Sequence, residues 1–92
     1  MTNDLPSNIQ NLIDNGMNDE AIEKLDELLT SEPDNAAFNF LMGKLLWKVG
    51  KRSEAMGFYL KADKLNPDGP ARRAIEMSRD IESYFNPDLL NP

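Results

Sequence analysis

The chain has 92 residues, of which 40% are apolar and 28% are charged, and its formal net charge is −6. This balance predicts one soluble globular domain, and no run approaches the ~20 apolar residues that span a membrane. Cysteine and histidine are both absent, which removes disulfides, the commonest general base and the commonest zinc ligand. We therefore expect a non-catalytic protein that holds no metal and no cofactor. Residues 1–4 lack the basic and apolar blocks of a secretory signal, so the expected location is cytoplasmic.

The first two helices are predicted from apolar residues that recur at helical spacing, and no segment alternates as a strand does. The first helix ends at Asn15-Gly16, because both residue types tolerate the left-handed conformation that closes a helix. Asn18 is expected to cap the second helix, and Asp19 and Glu20 to provide the acidic residues of its first turn.

Three further helices are predicted at about 35–49, 53–65 and 70–85, followed by a tail at 86–92. The third helix is apolar on most of its sides, so neighbours must cover it from several directions and it is the central element. At the fifth helix, we expect Asp68 to cap the N-terminus and Arg72 to pair with Glu76 one turn later.

Six residues recur after a spacing of thirty-four positions. Leu12, Gly16, Glu20, Ala21, Pro33 and Asp34 return as Leu46, Gly50, Glu54, Ala55, Pro67 and Asp68. An internal period of this length indicates a helical solenoid made of stacked helix pairs. Because one pair is too small to bury its own apolar face, adjacent pairs must share a core.

At these spacings the chain resembles the tetratricopeptide repeat family, including small stand-alone bacterial members. The match in residues 36–69 consists of Gly43, Gly50, Ala55, Tyr59, Ala62 and Pro67. Residues 2–35 form a weaker copy of the repeat. The residues that occupy corresponding repeat positions there are Leu12, Gly16, Ala21, Leu25, Leu28 and Pro33. The resemblance implies that the small residues let paired helices approach closely. One departure is Asn39, which stands where the family usually has an early aromatic residue.

The resemblance implies an all-α fold, a short right-handed superhelix within a single domain at 1–92. Its expected parts are one helix-turn-helix repeat at about 2–35, a second at about 36–69, and a capping helix at about 70–85. The tail at 86–92 would follow the capping helix.

The family resemblance also implies that the first helix of each pair lines a concave groove. Projected onto this chain, the groove would present Gln10, Ile13, Phe40, Lys44, Trp47, Lys48, Ala74, Ser78 and Ile81. Aromatic residues interleaved with lysines are suited to a peptide or protein segment that carries acidic groups. The function expected is therefore protein–protein interaction. In the alternative interpretation, Phe40 and Trp47 belong to the core and the lysines are solvated at its rim.

The family's clamp for a peptide C-terminal carboxylate is not expected here. The positions that match it are Pro6, Gln10, Leu41, Ala71 and Ile75, and only Gln10 has a side chain that forms hydrogen bonds. Nucleic acid is also not expected as a partner, because helical spacing spreads the basic residues over several faces.

The charges are unevenly distributed along the chain, which leaves a second function open. Residues 1–34 contain nine acidic residues against Lys24 alone, whereas residues 35–79 contain nine basic residues against four acidic ones. Such segregation allows head-to-tail assembly into a homo-oligomer. A third possibility is that the tail folds back and covers an apolar surface with Leu89 and Leu90.

Overall fold

The computed structural model describes the chain from residue 5 to residue 85, and its side chains as far as residue 79. Within that range it contains five α-helices and no strand: α1 (Ser7–Asp14), α2 (Asn18–Ser31), α3 (Ala36–Lys48), α4 (Arg52–Leu65) and α5 (Ala71–Phe85). The predicted all-α fold is confirmed. The tail with Leu89 and Leu90, and the side chain of Ile81, lie outside the described parts.

The turns that end α1 and α3 are built in the same way. Gly16 and Gly50 have φ angles of +74° and +87°, a conformation that residues with a Cβ rarely adopt. The N–H group after each glycine bonds back to the carbonyl of Leu12 or Leu46, at 2.8 and 2.9 Å. Each helix therefore ends in a Schellman motif, and the repeat of thirty-four residues in the sequence is also a repeat in the backbone.

The helix starts differ from expectation at two places. Asn18 is the first residue of α2 rather than its cap, Met17 holds the cap position, and no side chain caps this helix. At α5, the helix begins at Ala71 and the carbonyl of Pro70 accepts the N–H of Ala74 at 3.2 Å. Asp68 lies too far upstream to act as the cap, so both capping predictions are wrong.

The ion pair expected within α5 is instead a link between α4 and α5. Arg72 Nη2 lies 3.1 Å from Asp63 Oδ2, and Arg72 Nε lies 3.3 Å from both carboxylate oxygens. Hydrogen bonding to Asp63 raises the pKa of Arg72, and Glu76 adds only a weaker attraction. The predicted partner, Glu76, is therefore replaced by Asp63.

α3 is the central helix, as its apolar circumference predicts. It packs against α2 on one side and most extensively against α4 on the other, while α1 packs on α2 and α5 on α4. The buried apolar cluster draws on four helices and consists of Ile9, Ala21, Leu25, Leu29, Phe38, Met42, Leu45, Leu46 and Ala55. Each helix therefore packs chiefly on its neighbours along the chain.

α3 and α4 approach most closely at Gly43. A Cβ atom added there would lie 2.6 Å from two ring carbons of Tyr59 and 3.2 Å from the carbonyl oxygen of Ala55. No real Cβ contact is that short, so the crossing requires glycine. Ala55 and Ala62 are buried beside it.

The other residues predicted to pack the repeats fall into three environments. Ala21 and Leu25 are fully buried, whereas Leu12 and Leu28 are half-buried against the core. Pro33 and Pro67 are exposed in the turns that follow α2 and α4.

Candidate functional site

A groove runs between α3 and α5, with α4 beneath it. We call it the α3–α5 groove; it encloses about 250 Å³ and is lined by Phe40, Lys44, Trp47, Tyr59, Ala74, Met77 and Ser78. The helical spacing of the first three residues explains why α3 presents them together. The groove is thus formed by side chains from three helices.

Aromatic rings form one wall of this groove. The ring centroids of Phe40 and Tyr59 lie 5.8 Å apart and the rings are tilted by 41°, a favourable arrangement for two aromatic groups. Tyr59 is buried, and desolvation raises its pKa above the ordinary value. The wall is therefore apolar, and the contact between Phe40 of α3 and Tyr59 of α4 holds the two rings in place.

Two cations lie over the rings of this wall. The Nζ atom of Lys44 is 5.5 Å from the centroid of Phe40, and the Cζ atom of Arg52 is 4.8 Å from the centroid of Trp47. Both distances lie within the range of cation–π attraction. Lys44 lines the groove, whereas Arg52 lies over the ring of Trp47 without lining the groove itself. Both side chains are exposed and therefore accessible.

Phe40 and Trp47 are neither fully core nor fully groove residues. Both are half-buried, and Trp47 packs against the buried cluster while also lining the groove. Each ring therefore contributes to the folded interior and leaves part of its surface open to a ligand.

A second, smaller cavity adjoins the groove at the N-terminal end of α3. It encloses about 180 Å³, and the ring of Phe40 lies in the walls of both cavities. Its other lining residues are mostly small: Ala36, Ala37, Ala62, Asn66, Gly69, Pro70 and Ala71. The two cavities therefore meet at the ring of Phe40.

The predicted groove residues are only partly brought together. Five of them line the α3–α5 groove, namely Phe40, Lys44, Trp47, Ala74 and Ser78. Gln10 lies on α1 and donates a hydrogen bond to Asp14 at 2.8 Å, Ile13 packs against the core, and Lys48 is exposed one turn beyond Lys44. These three residues are outside the two cavities.

Tyr59 and Met77 line the groove but were not predicted to do so. The spacing rule selects residues from the first helix of each pair, and Tyr59 belongs to α4. Met77 is adjacent to Ser78 and is 55% exposed. The signal available in the sequence was a methionine adjacent to the predicted groove residue Ser78.

Among residues 5–85, no helix has the length and apolar character needed to cross a bilayer. Among the side chains of residues 5–79, no group of three or more acidic residues is arranged to hold a metal ion.

The five helices of residues 5–85, with their matched glycine turns and a groove along one side, define an all-α helical-repeat protein. A family model described as tetratricopeptide repeat matches residues 12–76, more than half of the chain. The chain belongs to the tetratricopeptide repeat family, and the resemblance is confirmed. Repeats of this family generally mediate interactions between proteins. Neither the curated proteins nor the solved structures yielded a significant match.

Proposed function

We propose that this chain is a non-catalytic interaction module that binds an acidic peptide or protein segment in the α3–α5 groove. The observation that carries the proposal is the pairing of aromatic surface with cations, in which Lys44 lies over Phe40 and Arg52 over Trp47. Aromatic residues and arginine are the residue types that most often dominate binding energy at protein interfaces.

The groove favours a ligand that combines apolar and acidic groups. An apolar side chain of the ligand would be desolvated against Phe40, Trp47 and Tyr59, while its carboxylates would meet Lys44 and Arg52 at the edge. Lys48 extends the basic edge by one turn. Nucleic acid fits less well, because a long phosphate backbone would extend to the acidic residues of α2 and be repelled, whereas a short acidic segment stays in a groove that α2 does not line.

The chain provides its own probe for testing this proposal. Trp47 is the only tryptophan and lines the groove, so its fluorescence reports occupancy directly. Titration with a peptide of leucine and glutamate should change the emission, and a peptide of leucine and lysine should not. Equal responses to both peptides would refute the charge selectivity.

A matched pair of variants locates the binding site. Lys44→Glu reverses a charge in the groove, whereas Lys61→Glu reverses one on the exposed face of α4, outside both cavities. We expect Lys44→Glu to weaken binding by about tenfold or more, since it replaces attraction with repulsion. Lys61→Glu should change it little. If both variants weaken binding equally, the groove is not the site.

Self-assembly is a second candidate function, favoured by apolar side chains exposed on α4. Leu60 is 47% exposed and Leu65 is 36% exposed, and Lys61 and Lys64 lie beside them. This basic and apolar face would associate with the acidic first half of another copy. Sedimentation over a series of salt concentrations tests the idea, and a monomer at low salt and high protein concentration would eliminate it.

A further inference from the structure

A second groove lies on the opposite side of α3, between α2 and α4. We call it the α2–α4 groove; it encloses about 710 Å³ and is the largest of the cavities described here. The groove lies where α2 and α4 each pack on α3, with α3 at its base. Such a volume accommodates several side chains of a ligand.

The floor of the α2–α4 groove is apolar. Met42 and Leu46 lie one turn apart on α3 and are buried at its base. Ile22 and Phe58 form its sides and are only half-buried, so part of their apolar surface faces the open groove. A ligand that inserts an apolar side chain here would remove that surface from water.

The rim of this groove is acidic. Within residues 5–79, it carries four carboxylates, those of Asp19, Glu23, Asp26 and Glu54, against the single cation of Lys51. Among the side chains described, the only ion pair joins Arg72 and Asp63, so none of these four carboxylates forms a direct ion pair there.

The position of the acids is not explained by the stability of α2. Asp19 lies in the first turn, where a negative charge interacts favourably with the helix dipole. Glu23 and Asp26 lie beyond that turn and do not gain this stabilisation. The spacing of the three residues aligns like charges along one face, which is unfavourable for an isolated helix. An external cation would relieve this repulsion.

We infer that the α2–α4 groove binds a basic amphipathic helix of a partner protein, with an apolar face on the groove floor and lysine or arginine side chains at the acidic rim. Charge complementarity selects this occupant. The site is separate from the α3–α5 groove and has the opposite charge. Both can be occupied at once, so the chain would bridge an acidic segment and a basic one.

The probe for this inference is a fluorescently labelled helical peptide of leucine and lysine, measured by anisotropy. Binding is expected at low salt and should weaken as salt is added, because screening acts on exposed charges. A peptide with alanine in place of leucine should bind at least about tenfold more weakly, since it has no apolar anchor. No binding of the leucine peptide, or equal binding of both, would overturn the inference.

Two triple variants with the same net charge test the location of the site. The first is Glu23→Gln, Asp26→Asn and Glu54→Gln, which neutralises the rim. The control is Glu20→Gln, Glu27→Gln and Asp34→Asn, three exposed acids that do not line the groove. Glu20 is a suitable match for Glu54, because each lies in the first turn of its helix.

We expect the rim variant to lose about tenfold or more in affinity and the control to lose much less. Equal losses would show that net charge, not the groove, attracts the peptide, and would overturn the inference. If the parent protein self-associates and the rim variant does not, the groove binds a second copy of this chain. That result would overturn the choice of a partner helix as the occupant. Trp47 emission on adding an acidic peptide should be the same in both variants, which separates this test from that of the α3–α5 groove.

Discussion

The side-chain amide of Asn39 donates a hydrogen bond to the carbonyl oxygen of Pro33, with a length of 3.0 Å. The same amide nitrogen donates to the carbonyl of Asn35 at 2.9 Å, and Asn35 in turn accepts the N–H of Phe38 as the cap of α3. Asn39 is 1% exposed. A buried amide therefore fixes the turn between α2 and α3 at the position where the family usually has an aromatic side chain.

Asn39→Ala should destabilise the fold by about 1–3 kcal/mol, because the carbonyl of Pro33 would lose its bond and a void would remain. Urea unfolding measures the change in the free energy of unfolding. The control is Asn8→Ala on the exposed face of α1, which should lie within about 0.5 kcal/mol of the parent. Equal stability of the two variants would show that the buried amide contributes nothing.

Gly43→Ala should destabilise the protein by about 1–2 kcal/mol. The new Cβ would lie 2.6 Å from the ring of Tyr59, and overpacking of this kind costs about 1–3 kcal/mol. The higher helix propensity of alanine offsets up to about 1 kcal/mol of that cost. Thermal and urea unfolding measure the sign of the change in the free energy of unfolding. A variant as stable as the parent would mean that α3 and α4 can move apart enough to admit the Cβ atom without loss of stability.

Gly57→Ala should have the opposite effect and stabilise the protein by about 0.5–1 kcal/mol. Gly57 is exposed within α4, and nothing lies within 4 Å of a Cβ added there. The gain comes from helix propensity and from the smaller entropy of the unfolded chain. It is measured alongside Gly43→Ala, since the chemical change is the same and only the surroundings differ. A loss of stability would contradict the open environment of this residue.

Stability should fall at alkaline pH through Tyr59. Burial raises the pKa of this phenol above 10.0, so between the unfolded and folded pKa values the unfolded chain loses the proton while the folded chain keeps it. The free energy of unfolding is therefore unaffected below pH ~10 and decreases as the pH rises through that window.

The control for this effect is Tyr59→Phe, which keeps the ring and removes the titrating group. Urea unfolding of both proteins at about pH 9 and about pH 11 isolates the contribution of Tyr59, because every other titrating group is shared. The parent should lose more stability than the variant. Equal losses would assign the alkaline effect to other residues.

Much of the fold follows from local patterns that the sequence displays directly. Gly16 and Gly50 predict two helix ends because only glycine adopts their backbone angles without strain. The apolar circumference of α3 predicts a central helix because every side must be covered. These inferences need only residues within a few turns of one another.

The remaining features depend on how distant helices pack. Arg72 bonds to Asp63 across the turn between α4 and α5, although Glu76 has the better spacing on its own helix. The α2–α4 groove has Glu23 of α2 and Glu54 of α4 in its lining, and no pattern within a single helix predicts that. The role of Asn39 was also missed, because its bond to Pro33 depends on the path of the turn before α3.

The packing of each helix chiefly on its sequence neighbours has a consequence for how the chain folds. Short connections make the entropic cost of closing each contact small, which favours rapid folding. We expect the α3–α4 hairpin, with the most extensive interface, to nucleate assembly. The peripheral α1, with Ile9 as its one fully buried side chain, would then be the first to detach when urea is added, and its amide hydrogens would exchange with solvent before those of the centre.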